Sequence, residues 1–68
     1  MKLITVYVVI NKNFVKVSKD LNEAILSLFL VEGSQEILQL ARQNETDLKV
    51  IRSHIKNGSK IIESKLYV

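Results

Sequence analysis

Sixty-eight residues without a single Cys or Pro leave room for one domain, residues 1–68, and exclude a disulfide framework or a thiolate zinc site, so stability has to come from packing or from a partner. Apolar residues make up 47% of the chain, which excludes a disordered chain, and the longest apolar stretches fall well short of the roughly 20 residues of a membrane span. The net charge of +3 conceals three blocks: residues 1–19 carry +4, residues 20–47 carry −5 and residues 48–68 carry +4.

The opening segment, Leu3 to Ile10, is rich in Val and Ile and runs into Asn11-Lys12-Asn13 with no small-residue cleavage site, so it reads as a strand and not as a signal peptide. Phe14 to Ser18 is a second β-branched run, and the intervening Asn residues tolerate the positive φ of a tight hairpin. In the first strand Ile4, Val6, Val8 and Ile10 share one face while Leu3, Thr5, Tyr7 and Val9 share the other. Both are apolar enough to be covered, which predicts the central strand of a sheet.

A helix is predicted over Leu21–Glu32, capped from within Ser18 to Asp20 and stopped by Gly33. Leu21, Ala24, Ile25, Leu28 and Phe29 follow the helical period, but Leu26 and Leu30 fall off that stripe as a surplus apolar face. Ser34 opens a second helix, Gln35 to Asn44, with Ile37, Leu38, Leu40 and Ala41 on its apolar side. After Gln43-Asn44-Glu45-Thr46, a third helix over Asp47 to Asn57, capped by Thr46 or Asn44, carries Leu48, Val50, Ile51 and Ile55. Lys60 to Val68 reads as a closing strand beside the hairpin. The result is an α+β domain of order ββαααβ with the helices over one face of the sheet.

On the third helix Lys49, Arg52, Ser53 and Lys56 recur at helical spacing opposite the apolar side. The second and third helices with their turn loosely resemble a helix-turn-helix unit, although that turn lacks Gly, and Glu45 and Asp47 would repel phosphate. The resemblance implies a small DNA-binding regulator in which Arg52 reads a base edge while Lys49, Lys56 and Lys60 hold phosphates of double-stranded DNA, with Ser53 on the same stripe. If the closing strand joins the hairpin, the two basic blocks converge. Tyr7, Phe14 and Tyr67 would then share a sheet face.

His54 is the only histidine and has no second ligand in its pattern, so neither a metal nor a cofactor is expected. His54 and Ser53, adjacent on a helix, point roughly 100° apart and make no catalytic pair. Glu32 and Glu36 flank a helix junction and read as capping and solubilising charges. With no Gly-rich phosphate loop and no nucleophile–base array, the chain reads as non-enzymatic. The rival to DNA binding is a protein-interaction module, an inhibitor or adaptor of a larger protein, for which Leu26 and Leu30 are the candidate surface. A small cysteine-free chain of this kind resembles phage and plasmid accessory proteins in style. Both readings accommodate a cytoplasmic homodimer in which two copies bury Leu26, Leu30 and an uncovered sheet face.

Overall fold

Runs of Val, Ile, Thr and Tyr favour extended backbone, and in the computed structural model, which describes residues 1–68, they form strands β1 (Leu3–Asn11) and β2 (Phe14–Ser18), joined by Lys12-Asn13. Helices α1 (Leu21–Glu32), α2 (Gln35–Arg42) and α3 (Leu48–Ser53) follow, and strand β3 (Lys60–Tyr67) closes the chain. The predicted α+β order ββαααβ is the observed one. Both pairings are antiparallel and the strand order is β2-β1-β3, with β1 central.

The caps are partly those the sequence predicts. Asp20 accepts from the Asn22 amide at 3.1 Å to open α1, and Gly33, at φ 70°, ends it by donating its amide to Phe29 O at 2.7 Å. Ser34 occupies the N-cap of α2, but its hydroxyl donates to the Glu36 carboxylate at 2.6 Å and caps no backbone amide. Asp47 caps α3 through the Lys49 amide at 2.9 Å, where Thr46 or Asn44 was expected. Asn44 instead adopts φ 54° and turns the chain after α2, doing the work of the missing glycine. It is the only non-glycine residue at positive φ, so the hairpin turn uses none.

The third helix is shorter than the predicted Asp47 to Asn57. The Ser53 hydroxyl donates to Val50 O at 2.6 Å and His54 Nδ1 lies 2.9 Å from the same carbonyl, closing the last turn. The Lys56 and Asn57 amides then leave the helical path and donate to the Glu32 carboxylate at 2.8 and 3.0 Å. A helix cannot continue once its next donors are committed elsewhere.

Val9 of β1 and Ile61 of β3 meet Ala24, Ile25 and Leu28 of α1, Ile37, Leu40 and Ala41 of α2 and Ile51 of α3 in one core. Tyr7 and Phe14 pack against it from the same side of the sheet. α1 lies on β1 and β2, α2 lies on α1, and α3 lies on β3. As the sequence predicts, the helices cover one face of the sheet, although both faces of β1 are apolar enough to be covered. No helix is long and apolar enough to cross a membrane.

Candidate interaction site

Period-2 alternation assigns the sheet's two faces. Tyr7, Val9 and Asn11 look toward the helices, with Phe14, Lys16 and Ser18 opposite them on β2 and Ile61 and Glu63 on β3. The remaining set looks away: Ile4, Val6, Val8 and Ile10 on β1, Val15 and Val17 on β2, and Ile62, Ser64 and Leu66 on β3. Nothing covers this second set. Val15 is 67% exposed and Val17 54%, and Ile62, Leu66 and Val68 are exposed too. Val6, 5% exposed, is the buried exception on this face and lies outside the core cluster.

The open face is apolar across its middle, interrupted there only by Ser64. Its charges are the lysines at its ends, Lys60 opposite Ile10 and Lys2 bonded to Val68, with Lys12 in the hairpin turn. An antiparallel sheet with one wet face normally places polar side chains on that face. This one places valine, isoleucine and leucine there, with basic residues at the margin and no acid.

The residues predicted to read DNA are all exposed but do not form one helical stripe. Lys49, Arg52 and Ser53 belong to α3, Lys56 to the following loop and Lys60 to the start of β3. The Arg52 guanidinium is engaged: Nε and Nη2 donate to Ile61 O at 3.2 and 3.1 Å, capping an edge carbonyl of β3. Arg52 and Lys60 line an open cleft of about 360 Å³ between α3 and β3, together with Ile55, Ser59, Ile61 and Ile62. Since α2 packs on α1 and α3 on β3, the second and third helices do not make the packed pair of a helix-turn-helix unit.

Ser53 Oγ and His54 Nδ1 come within 3.3 Å because His54 sits at the C-cap and not on the helix. Both groups converge on Val50 O, so the Ser53 proton is committed to that carbonyl. Leu26 and Leu30 are exposed on the outer side of α1, Leu30 by 75%. They lie across the molecule from the open sheet face, so one symmetric interface does not bury both surfaces. Tyr7, Phe14 and Tyr67 share a sheet face as expected, but it is the helix side. Tyr7 and Phe14 pack on the core, and Tyr67 stands beyond it, 68% exposed.

The residue that organises the site is Glu32, which had read as a capping or solubilising charge. Its buried carboxylate accepts from the amides of Lys56 and Asn57 and from the Ser59 hydroxyl at 2.6 Å, and Ser59 Oγ in turn accepts from Asn11 Nδ2 at 2.6 Å. This network ties the end of α1 to the entry of β3 and the end of β1. Burial alone raises the carboxyl's pKa, but the hydrogen bonds from Ser59, Lys56 and Asn57 outweigh it and hold the group below its ordinary value of 4.5. The signal was present in the sequence: Glu32 is four residues beyond Leu28, on the stripe that faces the core. No family model matches the chain, nor does any curated protein or solved structure match it significantly.

Proposed function

We propose that this protein is a non-enzymatic protein-interaction module, an inhibitor or adaptor, that docks a larger protein on the open face of its sheet. The observation that carries this reading is the uncharged apolar centre of that face with its lysine margin. Strands of nine, five and eight residues spaced about 4.8 Å apart give a face of roughly 350 Å² in projection, the size of a monomer's largest apolar patch, which is often functional. The lysines at Lys2, Lys12 and Lys60 fit a partner whose apolar surface is bordered by carboxylates. Antiparallel sheets bury such faces against another sheet or against helices.

A second reading, DNA binding through Lys49, Lys56 and Lys60, draws on the exposure of these three side chains. It ranks below the first because Arg52, the base-reading candidate, already serves β3. One experiment separates them. The wild type, Val17→Lys and the double variant Lys49→Ala/Lys56→Ala are compared for capture of a stoichiometric protein partner and for binding to mixed double-stranded DNA at two salt concentrations. Capture lost in Val17→Lys and retained in the lysine variant is the expected result. Salt-sensitive DNA binding lost only in the lysine variant, without a partner that depends on Val17, overturns the first reading in favour of the second.

A further inference from the structure

Two copies of this chain, we infer, pair β3 against β3 in antiparallel register about Ser64, which joins their open faces into one six-stranded apolar surface and seats Tyr67 of each copy in the cleft of the other. The inference rests on the docking reading above and deepens it, because half of the docking surface then comes from the second copy.

The argument begins with backbone hydrogen bonding. Lys2 and Val68 exchange both of their amide bonds, Lys2 N to Val68 O and Val68 N to Lys2 O, each at 2.8 Å. In an antiparallel ladder such pairs recur at every second residue, so Ile4–Leu66, Val6–Ser64 and Val8–Ile62 are the bonded pairs of β1 and β3. The amides and carbonyls of Ile61, Glu63, Lys65 and Tyr67 therefore point outward from the edge. Arg52 caps the Ile61 carbonyl. The outward groups of Glu63, Lys65 and Tyr67 face solvent on a strand of eight residues, a template for another strand.

Only outward-pointing residues can oppose each other as bonded pairs across a two-fold axis, which leaves few registers. Centred on Glu63, the pairing sets that carboxylate against itself; centred on Lys65, it sets two ammonium groups together. Centred on Ser64, it places Glu63 opposite the partner's Lys65 and Lys65 opposite the partner's Glu63, with four backbone hydrogen bonds between them. Like charges directly opposite are destabilising and unlike charges favourable, so the sequence selects this register. The other edge, β2, holds no acid to match its lysine. Centring β2 on Lys16, between its outward-pointing Val15 and Val17, sets that lysine against itself.

The selected register also matches the remaining side chains. On the open face Ile62 meets the partner's Leu66, and Leu66 meets the partner's Ile62, so the two apolar faces become continuous. On the helix side Ile61 meets the partner's Tyr67, at the mouth of the cleft lined by Arg52, Ile55 and Ile61. Tyr67 is 68% exposed in the single chain, and the cleft offers it apolar walls and a guanidinium against which the ring can stack. Residues 3–6 of β1 and 64–67 of β3 extend past β2 as a two-stranded ribbon, marginal in water until a third strand joins it.

The test is charge exchange at the edge, read by sedimentation from about 10 to 500 µM, a range suited to a weak edge interface. Wild type is expected to move from a 7.8 kDa species to twice that mass. Glu63→Lys and Lys65→Glu alone should each weaken self-association about tenfold or more. Mixing those two variants should yield a heterodimer, and the double variant Glu63→Lys/Lys65→Glu should recover the homodimer, which separates register from misfolding. Tyr67→Ala should weaken the dimer, and Val17→Lys should leave it intact while removing partner capture. A wild type that stays monomeric throughout, single variants that dimerise as wild type does, or a dimer dissolved by Val17→Lys would each overturn the register. A dimer that behaves as described while partner capture ignores Val17→Lys overturns the docking reading alone.

Discussion

Ile61 and Ile62 are neighbours of the same type on the same strand, and they meet opposite surroundings. Ile61 is 2% exposed beneath the helices, opposite Val9, whereas Ile62 is 42% exposed on the open face, opposite Val8. The contrast extends along β1, where Val9 belongs to the core and Val8 looks into solvent. Side-chain apolarity does not decide which face is buried when both faces are apolar. The amount of helix decides only how many faces are covered: three helices of 12, 8 and 6 residues cover one side of a three-stranded sheet and no more. The bare side is therefore surplus hydrophobicity relative to the needs of the fold.

Substitutions sharpen this contrast. The largest effect is expected from Ile61→Ala, which should cost about 2–5 kcal/mol in chemical denaturation because the cavity it leaves sits among fixed neighbours. Next is Glu32→Gln, which should cost about 2 kcal/mol because amides now bonded to a buried carboxylate would face a neutral and half-mismatched amide. The same variant changes the pH profile. A carboxyl held below its ordinary value in the folded chain stabilises the fold above the unfolded pKa, and that stabilisation is lost as pH falls through the folded value. Wild type should thus lose stability below about pH 4.5, and Glu32→Gln should show a flatter acid limb in urea titrations. The smallest effect on stability is expected from Ile62→Ala, under about 1 kcal/mol, since its side chain loses little burial. Equal costs for Ile61→Ala and Ile62→Ala would show that the open face is covered in solution by something that holds it as firmly as the helices hold the other.

Much of the architecture was legible because it rests on local periodicity. Alternating β-branched residues gave the hairpin and the central strand, and Gly33 ended α1 where a left-handed residue was required. The end of the third helix was not legible, because it depends on a carboxylate 24 residues away from Lys56, and no local propensity reports that Glu32 takes those amides. Arg52 illustrates the same limit at the candidate site. Its place on a basic helical stripe suggested a base reader, while its hydrogen bonds to Ile61 O make it a cap on the edge of β3. Leu26 and Leu30 were legible as surplus apolar residues, and they are exposed, yet the larger apolar surface lies on the other side of the sheet.

By itself the sequence determined the number and order of the elements, the central place of β1 and the charge pattern of β3, since these follow from spacing along a chain. Only the tertiary structure decided which of two equally apolar faces the helices cover, where Glu32 sends its oxygens and which groups of β3 face outward. Those outcomes depend on contacts between residues far apart in sequence, whose geometry exists only after the chain has packed.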